Sequence, residues 1–121
     1  MKLIAVVVDD NENNLTLEKD LLEVAGFEVF EAINALAGIA MVKLVNPDVV
    51  IMDVRLPGLR GSEAALILRE DSTTNHIPIV FVTASVLAEG MEELKHIENS
   101  GFIGKPINTR TFAAEIRTYI K

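Results

Sequence analysis

The sequence predicts an α/β fold: a three-layer (βα)5 sandwich built on a doubly wound, five-stranded parallel sheet in the order 2-1-3-4-5. Short apolar, β-branched stretches alternate with longer amphipathic ones five times along the 121 residues. Three of the short stretches are apolar throughout, which is typical of strands covered on both faces of a parallel sheet. Because parallel strands need right-handed crossover connections, this alternation favours helices on both sides of one sheet.

The first two strand–helix units span the first 45 residues. An apolar run over 3–8 ends at two acids and predicts a buried strand. The helix that follows ends before Gly26, and its apolar stripe consists of Leu15, Leu17, Leu21, Leu22 and Val24. A short strand over 27–30 precedes a helix over 35–45. The apolar positions of that second helix are Ile39, Val42 and Leu44.

The remaining units follow the same alternation. Strands are predicted over 49–52, 77–82 and 102–103, and helices over 62–69, 89–98 and 109–120. Ser62 is the expected N-cap of its helix, because a serine side chain can accept a bond from a first-turn N–H. The last helix carries apolar residues at four-residue spacing, namely Phe112, Ile116 and Ile120.

Composition excludes several classes of protein. With 50% hydrophobic and 24% charged residues the chain can bury a core, and its length fits one domain over 1–121. The net charge of −7 disfavours direct nucleic-acid binding and anionic membranes. The absence of cysteine excludes disulfides, thiolate metal sites and cysteine nucleophiles. No apolar run approaches the roughly 18 residues of a membrane span, and no signal-peptide cleavage site follows the first strand, so we expect a cytoplasmic protein.

Polar side chains stand where the predicted strands end. In a doubly wound sheet the ligand site lies beyond the carboxyl ends of the strands. Neighbouring strands are about 4.8 Å apart, so side chains at these ends converge. The residues concerned are Asp9 and Asp10 after the first strand, Asp53 after the third, Thr83 after the fourth and Lys105 after the fifth.

These residue types together favour phosphoryl chemistry. Three carboxylates repel one another unless a cation is present, and hard oxygen ligands suit Mg²⁺. A hydroxyl at Thr83 and an ammonium at Lys105 would hold phosphoryl oxygens. Asp53 is central by strand order, so we assign it as the nucleophile that forms an aspartyl phosphate.

This constellation resembles the receiver domain of two-component response regulators, the CheY-like superfamily. The resemblance covers essentially all 121 residues. It rests on Asp9-Asp10, Asp53, Leu56-Pro57 with Gly61, Thr83-Ala84 and Lys105-Pro106, in the family's order and spacing. The segments 8–14 and 101–107 look most like stand-alone receivers of the cell-division type or receivers of hybrid histidine kinases.

The resemblance implies a flavodoxin-like fold and a phosphorylation-controlled signalling switch in place of a conventional enzyme. Asp53 would accept a phosphoryl group from the phosphohistidine of a sensor histidine kinase or histidine phosphotransferase. The cofactor would be Mg²⁺, held by Asp10, Asp53 and the backbone carbonyl of Arg55, while Asp9 would act mainly through water. The domain would also assist its own dephosphorylation.

The resemblance further implies how the switch would work. Lys105 would pair with Asp53 and then with the phosphoryl group, and a cis bond before Pro106 would help to aim it. Thr83 would move to bond a phosphoryl oxygen, and Phe102 would turn inward as the aromatic switch. The helix over 89–98, the fifth strand and the last helix would then bind a downstream protein. Because no output domain follows the last helix, we expect output by protein contact, unless the chain is excised from a longer regulator or hybrid kinase.

Three departures from the family pattern bear on this interpretation. In the loop 56–61, Arg60 replaces the acid of the family's Met-Pro-x-Met-Asp-Gly, which alters loop charge and kinase docking. Arg55 lies two residues after Asp53, at a position that the family varies and that tunes dephosphorylation; the sequence leaves its contact open. Phe102 lacks the hydroxyl of a tyrosine, so its switch would rest on packing.

Other functions and plainer structural roles stay open on the residues alone. A flavodoxin-like flavin or nucleotide binder would need a Ser/Thr/Gly-rich phosphate loop in place of Asp9-Asp10. A Mg²⁺-dependent hydrolase of the aspartyl-phosphate type would need a second aspartate where Arg55 stands, and a receiver that no longer takes phosphate is a further alternative. The paired acids alone would serve as a helix-capping turn. Thr83 would serve to satisfy a backbone group, and Phe102 to fill the core.

Overall fold

The computed structural model describes residues 2–84 and 94–120, and these contain five strands and four helices. The strands are β1 (Ile4–Val8), β2 (Glu28–Ala32), β3 (Val49–Asp53), β4 (Ile79–Thr83) and β5 (Ser100–Gly104). The helices are α1 (Glu12–Val24), α2 (Ala35–Val45), α3 (Gly61–Glu70) and α4 (Phe112–Tyr119). Of the helix predicted over 89–98, residues 89–93 lie outside the described residues, residues 94 and 95 are helical, and residues 96–98 form a turn. No helix in the described ranges is long and apolar enough to cross a membrane.

All strand pairings are parallel, and the strand order is β2-β1-β3-β4-β5. The predicted fold class is therefore confirmed. Asp53 pairs in register with Val82, and Thr83 pairs with Gly104. The carboxyl ends of β3, β4 and β5 consequently lie side by side at one edge of the sheet.

Hydrophobic side chains fill two layers, one on each face of the sheet. The α2–α3 layer packs Ile39 and Leu68 against alternate strand residues such as Val6. The α1–α4 layer packs Leu22 and Ile116 against the strand residues that point the other way. Because β3 and β4 are buried at every position, the apolar residues that precede Asp53 and Thr83 follow from coverage on both faces.

Two predicted apolar stripes are wrong in part. On α1 the buried positions are Leu15, Glu18 and Leu22, while Leu17 is 41% and Val24 is 90% exposed. Leu15 and Leu22 are buried as predicted, but between them the helix buries Glu18 and leaves Leu17 exposed. On α2, Leu44 points to solvent with 79% of its surface exposed.

The end of α1 was correctly predicted at a glycine. Gly26 has a φ of 97°, a left-handed conformation that residues with a Cβ adopt only at a cost. Its N–H donates to the carbonyl of Glu23, and the N–H of Phe27 donates to the carbonyl of Leu22. These two bonds form a Schellman motif, which satisfies carbonyls that the helix leaves without partners.

The starts of two helices differ from the sequence prediction. Ser62 does not cap α3: it lies buried in the first turn, and the cap is Arg60, whose backbone N–H donates to Glu63 Oε1 at 3.1 Å. A reciprocal bond from the third residue of a helix therefore replaces the expected serine. α4 begins three residues after the predicted start at 109, because the Asn108 side chain accepts the Arg110 N–H and forms a turn there.

Candidate functional site

The sheet brings the three predicted aspartates together. Asp53 is the last residue of β3, Asp9 follows β1 directly, and Asp10 is next along the chain. One carboxylate oxygen of each lies within 4.8 Å of the others. Asp9 and Asp53 are buried, whereas Asp10 is exposed at the mouth of the cluster. This cluster forms because β1 and β3 are adjacent, so that their carboxyl ends open into the same depression.

Lys105 lies within ion-pair distance of two of these aspartates. Its Nζ is 3.3 Å from Asp53 Oδ2 and 4.0 Å from Asp9 Oδ2. The backbone holds the lysine in place: its N–H donates to the Thr83 carbonyl at 2.7 Å, and the peptide bond to Pro106 is cis. Asp53 is therefore close both to the other two acids and to the Lys105 ammonium.

The main chain around Asp53 is closely packed. Asp53 Oδ1 accepts the backbone N–H of Arg55 at 3.1 Å, while the Arg55 side chain is exposed. The N–H of Val54 continues the ladder to Val82. A Cβ placed on Gly61 would stand only 2.8 Å from the Asp53 carbonyl oxygen, so only a glycine lets α3 begin this close to Asp53.

Asp9 is the most deeply buried member of the cluster, and one of its oxygens lacks a hydrogen bond from the part of the chain that the structure describes. Its Oδ1 accepts the Asn11 backbone N–H at 2.9 Å, but Oδ2 has no hydrogen-bond partner among the described residues. Burial raises the pKa of Asp9 above its ordinary value; the Asn11 bond opposes this, and the charge of Asp53 adds to it.

The donor set fits a divalent cation with a preference for oxygen. Three carboxylates within reach of one another match the hard-ligand chemistry of Mg²⁺. The unpartnered oxygen of Asp9 is the kind of buried atom that an ion, or water bound to it, satisfies. Within residues 2–84 and 94–120 Lys105 is the one cation that pairs with any of the three carboxylates, so the cluster is suited to holding a metal.

Thr83 and Phe102 lie on the β4–β5 side of the site. Thr83 ends β4 and is buried, with its carbonyl bound to Lys105. Phe102 is half-buried on β5, and its ring stacks on Phe81 with centroids 5.9 Å apart. Phe102 thus packs on the α2–α3 layer in the described conformation. The two histidines, His76 and His96, are exposed, in keeping with the surface position expected of residues without metal-ligand neighbours.

Sequence reasoning missed Glu18, a third buried acid near the site. It is only 3% exposed on the inner face of α1. It lines a cavity of about 140 Å³ together with Lys105 and Asn14. Burial raises its pKa to about 8; the charge of Asp9 contributes, and Lys105 opposes. The signal in the sequence was an acid flanked on both sides by buried stripe positions, at Leu15 and Leu22.

A family model for the response regulator receiver domain matches residues 5–117, nearly the whole chain. The chain belongs to this family. The polar-differentiation response regulator DivK of Brucella anthropi is 32% identical over 115 residues, which cover 95% of this receiver domain and 94% of that protein. The DivK protein of Brucella ovis is 31% identical over the same share of both chains.

Solved structures agree with the family assignment. The chemotaxis response regulator CheY4 of Vibrio cholerae superposes with a TM-score of 0.92 and 26% identity, over 99% of this chain and all of that one. The receiver domain of the Pseudomonas aeruginosa sensor histidine kinase PA1611, solved with a magnesium ion in its active site cleft, has a TM-score of 0.90 at 22% identity and covers 98% of both chains. At that identity the second likeness concerns the fold alone.

Membership of the family sets the broad function. Receiver domains are switches of two-component signalling and are not classed as enzymes. They interact with histidine kinases or phosphotransferases and with downstream proteins, and they bind Mg²⁺ at an acidic pocket. In this receiver Asp9, Asp10 and Asp53 form an acidic cluster at the carboxyl edge of the sheet.

Proposed function

We propose that this receiver domain accepts a phosphoryl group on Asp53 from the phosphohistidine of a sensor histidine kinase or histidine phosphotransferase. One observation carries the proposal: the Asp53 carboxylate belongs to the acidic cluster and also pairs with the Lys105 ammonium, with Nζ 3.3 Å from Oδ2. A carboxylate close to both a bound metal and a fixed cation can approach a phosphorus atom while both neighbours offset the charge that develops.

Three groups of this chain would hold Mg²⁺: the carboxylates of Asp10 and Asp53 and the backbone carbonyl of Arg55. Asp9 would act mainly through water: its Oδ2, which has no hydrogen-bond partner among the described residues, can accept a hydrogen bond from a water on the ion. The bound ion supplies positive charge next to the phosphoryl oxygens, as in phosphoryl transfer generally. Every other contribution comes from the position of the protein's own groups.

Phosphoryl gain and loss both take place at the Asp53 carboxylate. An Asp53 oxygen forms a bond to phosphorus while the bond from phosphorus to the histidine nitrogen breaks, and the electron pair of that bond stays on the nitrogen. The Lys105 ammonium and the Thr83 hydroxyl bind phosphoryl oxygens. In autodephosphorylation a water oxygen attacks phosphorus, phosphate leaves, and the Asp53 carboxylate is regenerated.

The phosphorylated receiver would act through protein contacts. Thr83 and Phe102 would carry the change across β4 and β5, because they stand on adjacent paired strands. Phosphorylation would thereby shift an equilibrium between two conformations of the β5–α4 side. Residues 89–93 of the helix expected on this face lie outside the described residues. We propose that residues 1–121 form a single receiver domain that acts in the cytoplasm.

The test is intact mass after incubation with acetyl phosphate and Mg²⁺. We expect the parent to gain one phosphoryl group, and Asp53→Asn to gain none, because an amide is not a nucleophile of this kind. Asp20→Asn, an exposed aspartate on α1, is the matched control and should behave as the parent does. A chelator should abolish the gain and added Mg²⁺ should restore it. Phosphorylation of Asp53→Asn at the parent's rate would refute the assignment.

A further inference from the structure

α2 is apolar on all sides. Ten of its eleven residues carry no charge, and the single exception is Lys43. Its inner face is buried on the sheet through Ile39 and Val42. Its outer face is also apolar, because Leu36 is 69% and Leu44 is 79% exposed. A helix with this composition is normally covered on both faces, so the outer face of α2 has the character of a contact surface.

The outer residues form a symmetric row. Leu36, Ala40 and Leu44 are spaced by four, so they lie one above another along the helix. A small residue stands at the centre, with a leucine one turn away on each side. If a second copy of α2 packs antiparallel about a two-fold axis at Ala40, Leu36 meets the second copy's Leu44. The small central side chain allows close approach where the helices cross.

Charge also favours a second copy at this surface. The chain carries a net charge of −7, so most approaches of two copies bring acids together. α2 has no acidic residue, and Lys43 is already paired with Asp71 of its own chain at 3.4 Å. In the antiparallel arrangement Lys43 lies opposite Ala37 of the second copy, which avoids a like-charge contact.

We propose that the outer face of α2 is the contact surface of a two-fold symmetric dimer of this receiver domain. Ile33, 60% exposed just before the helix, extends the surface. A standard stable interface buries roughly 800 Å² per partner. One helix face supplies less than that, so the dimer forms reversibly at high protein concentration. The surface includes none of the residues proposed to accept or bind the phosphoryl group. The dimer can therefore be tested independently of the proposed function.

Engineered cysteines test the geometry directly, since the chain has none of its own. Packed helices with axes about 8–10 Å apart bring Cα atoms at the two-fold axis to roughly 4–5.5 Å, within disulfide range. Ala40→Cys should therefore cross-link to a covalent dimer under copper-catalysed air oxidation. Ala37→Cys is the matched control: three residues off the axis, the two copies are separated by about 9 Å along the helices, which is too far for a disulfide.

We expect Ala40→Cys to cross-link about tenfold or more faster than Ala37→Cys and than Thr16→Cys, an exposed position on α1. Equal rates at all three positions would show random collisions and overturn the proposal.

Sedimentation velocity of the unphosphorylated parent between about 10 µM and 1 mM supplies the second measurement. The proposal expects concentration-dependent dimer that is lost in Leu36→Glu and weakened in Leu36→Ala, with circular dichroism showing both variants folded. A parent that is monomeric throughout, or a dimer that Leu36→Glu leaves intact, would contradict it. A monomeric parent would mean that the outer face of α2 stays exposed or contacts a different protein. A dimer that survives Leu36→Glu would mean that the two copies contact each other through another surface.

Discussion

The buried carboxyl group of Glu18 should make the stability of this receiver depend on pH in a defined direction. Burial on the inner face of α1, with a contribution from Asp9, raises its pKa from an ordinary 4.5 to about 8. The perturbation we consider is Glu18→Gln, which keeps the size and polarity of the side chain but cannot ionise. Glu18→Leu is a second variant, which removes the polar group altogether.

The sign follows from the proton count of the two states. Between pH 4.5 and 8 the folded protein keeps the Glu18 proton and the unfolded chain has lost it, so the free energy of unfolding falls as pH rises through this window. Below pH 4.5 both states are protonated and the contribution is constant. Each pH unit in the window corresponds to about 1.4 kcal/mol, so the whole loss has an upper limit on the order of 4–5 kcal/mol.

Urea unfolding at pH 5, 6, 7 and 8 measures this loss. The parent and Glu18→Gln share every other titrating group, including Asp9, whose pKa is also raised. The difference between their free energies of unfolding therefore isolates Glu18. We expect the free energy of unfolding of Glu18→Gln, relative to that of the parent, to rise by about 1 kcal/mol for each pH unit in this window. Glu18→Leu should be the most stable of the three at pH 8 if its side chain fits, because it buries no polar group.

A difference between parent and Glu18→Gln that stays constant from pH 5 to 8 would refute this reasoning. It would mean that Glu18 ionises at its ordinary pKa in the folded state. The carboxylate would then have to be compensated by the Lys105 ammonium or by water in the shared cavity.

Three further outcomes are expected. Gly61→Ala should lose roughly 1–3 kcal/mol in chemical unfolding, because its Cβ would stand 2.8 Å from the Asp53 carbonyl oxygen; stability equal to the parent's would mean that α3 shifts freely. Gly26→Ala should lose about 1 kcal/mol, measured by thermal unfolding, because φ is 97° there. Asp9→Asn should weaken Mg²⁺ binding, measured by calorimetry. Because burial raises the pKa of Asp9, binding to the parent should also weaken as pH falls, and the variant should show a smaller pH effect.

The sheet and the positions of the site residues were predictable because strong, local signals determine them. A strand covered on both faces has no polar positions, so 49–52 and most of 77–82 stood out as apolar runs. An acid, a hydroxyl or an ammonium directly after such a run lies at the carboxyl edge of the sheet. The cluster of Asp9, Asp10 and Asp53 with Lys105 therefore followed from strand order alone.

The features that were missed depend on which way a helix faces. Leu17 and Glu18 are neighbours on α1, and a rotation of about 100° exchanges the buried one for the exposed one. Hydrophobicity favours burying the leucine, yet the helix buries the acid beside Lys105. On α2 an apolar residue stands at nearly every position, so periodicity could not show that Leu44 faces outward. The start of α3 was missed for a different reason. The expected N-cap was a serine, whereas the actual cap is Arg60, whose backbone N–H donates to the Glu63 side chain.

The close contact between Gly61 and Asp53 limits movement of the site on the side that faces α3. The Asp53 main chain is held by its ladder to β4, and the first residue of α3 rests against its carbonyl oxygen. The Arg55 N–H fixes one carboxylate oxygen as well. A bulky group added to this carboxylate cannot be accommodated by displacing the backbone toward α3. Side chains toward β4 and β5 must move instead. This packing therefore directs any conformational change that starts at Asp53 toward β4 and β5 and away from α3.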